Sequence, residues 1–228
     1  MLRDLGASFS YFSILPVRSS TEGYTDGAIA FLPVVGLVIG GLSGLAAFGV
    51  SLFTHGPLAP AITAWVFSIV LSGAIHVDGF LDCCDGLLAM VSPIERLRIM
   101  RDPHHGTYAI VGMAIASVLW LFALAHISAH ALPLVLAFTG AASRWAAVRT
   151  HLWIGIILGM LFGLVIGIWV SLGFLVGLIV AILIEVFARS RLNGARSGDC
   201  YGAAIVVVEI ALLMISAVST SLGPGLFI

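Results

Sequence analysis

The chain has 228 residues and a formal net charge of -1; 61% of its residues are apolar and only 9% are charged. A soluble domain carries about 25% charged residues, so no aqueous surface can be built here and the bilayer must be the solvent for most of the chain. All ten basic residues are arginine, which excludes a P-loop lysine, a Schiff-base lysine and a lysine general base.

In chain order, Leu2, Leu5, Phe9 and Phe12 recur at helical spacing. They predict an amphipathic N-terminal helix that lies at the membrane surface or re-enters it. Residues 1–16 have neither the long apolar run nor the small-residue cleavage site of a secretory leader. Seven stretches then suit a hydrocarbon core about 30 Å thick: 28–53, 58–77, 107–129, 132–148, 152–169, 171–188 and 201–221. The run from 152 to 188 is too long for one crossing and is divided near Ser171. The expected fold is therefore all-α, a polytopic transmembrane helix bundle of about seven spans. It forms a single integral-membrane domain over residues 1–228. Gly36, Gly40 and Gly44 stand four apart in the first span, a pattern that predicts close helix packing.

The arginines test this division. Arg3 and Arg18 precede the first span, and Arg96, Arg98 and Arg101 follow the second. Arg144 and Arg149 fall between the fourth and fifth, and Arg189, Arg191 and Arg196 between the sixth and seventh. All lie on one side, which the positive-inside rule makes the cytoplasm. The expected location is the cell inner membrane, multi-pass, with the N-terminus cytoplasmic and the C-terminus outside. Arg144 and Arg149 read as interfacial anchors, and Glu185 as the i+4 partner of Arg189.

Chemistry concentrates at the end of the second span, in His76-Val-Asp78-Gly79-Phe-Leu-Asp82-Cys-Cys-Asp85-Gly86. On a helix, Asp78, Asp82 and Asp85 share one face. Three carboxylates so close repel one another, and divalent cations among their oxygens would offset that cost. Two further segments face the same side. Arg101-Asp102-Pro-His104-His105-Gly106-Thr107 opens the third span, and Asn193 to Gly202 opens the last, with Arg196, Gly198 and Asp199 inside it and Glu209 beyond. Each sets an acid and an arginine beside a helix N-terminus, whose free N–H groups favour phosphate. Cys83, Cys84 and Cys200 suggest no disulfide framework and include no CxxC pair for zinc. A magnesium-and-phosphate site at the cytoplasmic surface is the reading that unites these segments, and phosphoryl transfer is its reaction.

The segment His76 to Gly86 resembles the L-H-x-D-G-L-A-D-x-x-D-G signature of the cobalamin (5′-phosphate) synthase, or adenosylcobinamide-GDP ribazoletransferase, family. Phe9 to Val17 looks like that family's F-x-x-L-T-R-L-P-V opening, with Ile14 in place of the arginine. Phe31 to Gly36 is similar to its F-P-L-V-G, Met100 to Tyr108 to its L-K-D-x-x-x-G-T-Y-G, and Gly194 to Gly202 to its G-G-x-T-G-D-x-x-G-A. The resemblance implies Mg2+ as cofactor and the transfer of adenosylcobinamide phosphate from adenosylcobinamide-GDP to α-ribazole or its 5′-phosphate, with GMP leaving. It implies metal binding by Asp78, Asp82, Asp85 and Asp199. Catalytic roles would fall to Asp82, Asp85, Asp102, Asp199 and His76, and phosphate or substrate contacts to Arg101, Gly106, Arg196 and Gly198. The expected partners are the two small-molecule substrates and membrane lipid, without nucleic acid, and homo-oligomerisation is left open. Two other readings compete: a CDP-alcohol phosphotransferase, told apart by its donor, and a divalent-cation transporter, whose acids should sit at mid-membrane.

Overall fold

The computed structural model describes residues 2–17, 26–149, 168–195 and 197–221. Its elements are all helical. In order they are α1 (Leu2–Phe12), α2 (Asp26–Ile29), α3 (Leu32–Ser51), α4 (Leu58–Leu71), α5 (Ile75–Leu88), α6 (Pro93–Ile99), α7 (Thr107–Ala125), α8 (Leu132–Val148), α9 (Ile168–Arg191) and α10 (Gly198–Ser221). The anticipated N-terminal helix is α1; it turns Ala7 and Ser8 inward and leaves Leu2 and Tyr11 exposed.

Four helices are long and apolar enough to cross a membrane: α3, α7, α9 over Gly173–Arg191 and α10 over Gly198–Val218. A fifth arises only if α4 and α5 are one broken span, since their axes meet at 89°. The apolar α8 has 17 residues, one short turn less than the four. The expectation of seven spans is thus not reached among the described residues. The stretch 152–169 lies almost wholly outside them, and α9 runs unbroken through Ser171, where a division was expected. The outward faces carry large apolar side chains, among them Ile110, Ile115 and Val118 on α7 and Ile179, Leu183 and Val186 on α9. Such faces suit lipid and not water.

The second predicted span, 58–77, is corrected by an elbow. Hydropathy runs on through Ser72 to Ile75, but the backbone turns there. Gly73 and Ala74 both take left-handed conformations, with φ of +62° and +58°, and the helix cannot continue through two such residues. Ile14, just after α1, donates its amide to the Leu71 carbonyl at 2.9 Å and so ties the N-terminal segment to the elbow.

The interior is built from small residues, as helix contacts in lipid require. α3 and α8 form the closest pair. A Cβ at Gly36 would collide with the Gly140 carbonyl, one at Gly40 with the Leu136 carbonyl, and one at Gly44 would lie 2.5 Å from the Leu132 oxygen. The glycine stripe therefore does what its spacing predicted. α10 runs through the middle, and its Val206, Ile210 and Leu213 join Trp120, Leu124 and Leu136 in the main core.

One ion pair lies inside this core. Arg144 on α8 reaches Glu209 on α10 at 3.0 Å, with side chains 5% and 7% exposed. The guanidinium also donates to the Gly140 carbonyl at 3.1 Å and to Ser143 Oγ at 3.3 Å. Arg144 is accordingly no interfacial anchor, because a buried acid compensates it in place of water. Arg149 pairs with Glu185 on α9, which also meets Arg189 at 2.5 Å as its i+4 partner.

Candidate active site

The helix that carries the acids is held at both ends. Beyond its C-terminus, Arg96 is buried and donates to the carbonyls of Gly86 and Leu87 at 3.1 and 2.6 Å. Arg191 adds a third bond, to the Leu87 carbonyl at 3.0 Å. Two guanidinium groups thus satisfy the open carbonyls of α5 and oppose the negative end of its dipole. Along its flank α5 packs on the start of α10. A Cβ at Gly79 would stand 2.9 Å from Asp199 Cα, and one at Gly202 3.1 Å from the His76 carbonyl. Only glycine permits this approach, and the approach brings the first turn of α10 beside the α5 acids.

The three α5 carboxylates share a face, as their spacing requires, but they are graded in burial. Asp78 is 66% exposed and Asp82 14%, whereas Asp85 is buried. Their partners differ as well. Asp85 Oδ2 accepts the Gly106 amide at 2.5 Å, and its Oδ1 the Ala109 amide at 3.0 Å. It is therefore a remote cap for α7, whose own N-cap residue, Gly106, has no side chain to offer. A Cβ at Gly106 would lie 2.9 Å from Asp85 Oδ1, so a side chain there would push this carboxylate from its place. The N-terminus of α7, expected to face phosphate, gives these two N–H groups to a carboxylate.

Asp78 and Asp82 keep free oxygens. Between them stands His105, 3.7 Å from Asp78 through Nε2 and 3.7 Å from Asp82 through Nδ1. The sequence motif alone assigns this histidine no role; the vicinal pair His104-His105 is the signal for it. Asp199 joins the group from α10, its Oδ2 accepting the Ser197 hydroxyl at 2.6 Å, and its charge bears directly on Asp82. Among the described residues no three His, Cys, Asp or Glu side chains are set closely enough to hold a metal ion as they stand.

Other expected site residues fall differently. Asp102 is exposed and bound to its own turn: the His104 amide donates to its Oδ1 at 2.9 Å, and the His104 ring lies 2.8 Å away. Those hydrogen bonds hold its carboxyl below the usual range. Arg101 is also exposed, Gly198 begins α10, and Arg196 lies outside the described residues. His76 points into the protein, where it lines a small cavity with Arg144 and Glu209. It is 6% exposed, its ring stacks on Phe12 with centroids 6.2 Å apart, and its Nε2 has no hydrogen-bond partner among the described residues. Cys83 and Cys200, one residue from Asp82 and Asp199, bring their sulfurs to 3.9 Å. Far from this site, His126 and His130 stand four apart but share no helix, because α7 ends at Ala125.

An open groove of about 680 Å³ lies against the acids. Asp78 and Asp199 line it, and α1 supplies Tyr11 and Phe12. The sequence segments that resemble the family's opening motif and its two acidic motifs thus meet around one space.

Comparison with known proteins agrees with this assembly. The family model described as Cobalamin-5-phosphate synthase matches residues 4–153. An adenosylcobinamide-GDP ribazoletransferase from Deinococcus radiodurans is 31% identical over 232 residues, covering 92% of this chain and 83% of that protein. One from Ralstonia nicotianae is 33% identical over 64% of this chain and 59% of its own, and one from Escherichia coli 34% identical over 52% and 51%. The chain therefore spans little more than half the length of several curated relatives it matches. No solved structure matches it. With the family model covering well over half its length and the Deinococcus protein aligned almost end to end, the chain belongs to the cobalamin-5-phosphate synthase family.

Proposed function

We propose that this chain transfers the adenosylcobinamide-phosphate group from adenosylcobinamide-GDP to α-ribazole or α-ribazole 5′-phosphate and releases GMP. The observation that carries the reading is the meeting of Asp78 and Asp82 from α5 with Asp199 from α10 at the edge of a large groove. In the reaction a ribazole hydroxyl attacks the phosphorus that bears the cobinamide arm, and the bond to GMP breaks. A carboxylate orients that hydroxyl and takes its proton. At about 680 Å³ the groove lies within the ~300–1,000 Å³ of pockets that take small-molecule ligands.

The donor set also suits magnesium. Asp78, Asp82 and Asp199 offer hard carboxylate oxygens, and their crowding without a cation is costly. Drawn closer than they stand, these three would hold the ion, which when bound would supply charge neutralisation at the pyrophosphate. Asp85 serves the same site indirectly, by fixing α5 to α7. The arginine distribution supports a cytoplasmic position for the acids, with the N-terminus on that side and the C-terminus outside.

The test is GMP release by the purified chain in liposomes, supplied with adenosylcobinamide-GDP, α-ribazole and magnesium. Acceptor-dependent GMP, lost on chelation and at least 100-fold lower in Asp82→Ala, is the expected result. Folded protein that releases none would sink the assignment, and CDP-alcohols would then be tried as donors.

A further inference from the structure

Behind the wall of the groove lies a second, smaller space. His76 and Ile205 border both. The polar lining of the inner one is completed by Ser68 and Ser72 at the end of α4, by Arg144 on α8 and by Glu209 on α10. His76, Arg144 and Glu209 are each more than nine-tenths buried, so this is a polar pocket within an apolar interior.

Two nitrogens of this lining have no hydrogen-bond partner among the described residues: His76 Nε2 and Arg144 Nε. Arg144 turns its Nη1 to Gly140, Ser143 and Glu209, which leaves the Nε–H unused. Buried polar atoms are rarely left so, and two of them on one cavity point to a shared ligand. An arginine Nε keeps its proton, so the ligand must accept a hydrogen bond there. Arg144 and Glu209 already balance each other at 3.0 Å, and an ion of either sign would add an uncompensated charge among apolar helices. The ligand is therefore neutral. It is also small, because the cavity measures about 10 Å³, near the least that takes a single water.

We propose that this cavity is the site of one ordered water, which accepts from Arg144 Nε–H and donates to His76 Nε2, with the imidazole in its Nδ1–H tautomer. Ser68 and Ser72 offer further partners, within the roughly two to four that a buried water needs. The water ties the first turn of α5, just beyond the left-handed elbow, to the ion pair between α8 and α10. This inference does not rest on the transferase reading, since it concerns an internal bridge and not turnover.

A crystal structure of the whole chain grown in a lipid mesophase, resolved well enough to show ordered waters, should hold one peak about 2.7–3.2 Å from both nitrogens. The second arm is a thermal double-mutant cycle in nanodiscs. His76→Phe keeps a ring to stack on Phe12 and removes the nitrogens, so it should lower Tm by about 2 °C or more as the bridge is lost. Against a background of Arg144→Met with Glu209→Leu, the same change should cost nothing, because the charged side of the bridge is already gone. A cavity without density, or one closed by a direct bond between His76 and Arg144, would overturn the proposal. An unchanged Tm in His76→Phe would do the same, as would an equal loss in both backgrounds, which marks packing and not a bridge. If a variant does not fold, the density in the unaltered chain decides. GMP release is measured separately and tests only the transferase reading.

Discussion

Asp82 and Asp85 are three residues apart on one helical face, yet their side chains have different work. Asp85 spends both oxygens on amides at the start of α7, so removing it should be felt in stability. We expect Asp85→Ala to lower stability by about 1–2 kcal/mol, the range for loss of a helix cap, read as a drop in Tm of the detergent-solubilised protein. Asp82→Asn should leave Tm unchanged or raise it, since it removes one of several mutually repelling charges, while GMP release collapses. Equal losses of Tm in both variants would contradict the division. Spacing alone placed the two acids together. It could not show that a helix beginning 22 residues later lacks a cap of its own, because Gly106 reads equally well as a loop. The same holds for Arg144, which lies near the end of an apolar stretch and so resembled an anchor. Its partner is 65 residues away, and only packing reveals it. Breaking this buried pair by Arg144→Met should cost about 3–5 kcal/mol. Joining it with Glu209→Leu should restore much of the loss, measured as urea or thermal midpoints in a double-mutant cycle.

At the scale of elements, the elbow between α4 and α5 governs where the acids lie. Hydropathy and length describe 58–77 well as an apolar segment, and after Pro60 in its first turn no proline or charge interrupts it. Gly73 was a legible hint of a turn, but a left-handed alanine beside it was not, since alanine is the strongest helix former. Ala74→Gly should therefore be tolerated or should stabilise by up to about 1 kcal/mol, because glycine accepts φ near +58° without penalty. A clear loss of Tm in that variant would mean that the elbow is not left-handed. The contact of α5 with α10 has its own reporter in Cys83 and Cys200. Mild oxidation with a copper–phenanthroline catalyst should join them, and a tryptic digest should show the cross-linked peptides by mass. The bond should lower GMP release reversibly, with reductant restoring it. Cys84, turned instead toward Gly112 of α7, should remain free. Nothing in the spacing of the three cysteines announced this pairing, since 116 residues separate the partners.

Across the whole molecule, composition made the class plain: so few charges with so many apolar residues admit only a lipid environment. The arginine count proposes which ends face the cytoplasm, and it depends on the division into spans and not on contacts. Less legible was the number of crossings. Periods of hydropathy cannot distinguish a straight span from two half-length helices meeting at a right angle, nor a lipid-facing helix from one enclosed by others. A cysteine-accessibility scan from both sides of sealed vesicles would settle the orientation. Substituted positions near Arg98 should react only from the cytoplasmic face, and labelling there from outside would reverse the assignment.

The seam between α3 and α8 has a consequence for handling the protein. Its glycines bring carbonyl oxygens of one helix against the Cα atoms of the other, a contact made of close dispersion and weak C–H···O attraction. Neither force draws on the surrounding solvent. Most of the outer contacts of α9, by contrast, are with whatever apolar medium surrounds it. Extraction into a harsh short-chain surfactant should then strip the molecule unevenly. The α3–α8 pair should survive as a proteolytically resistant remnant after the periphery has come apart, and a preparation that looks folded by helix content can already have lost its catalytic surface.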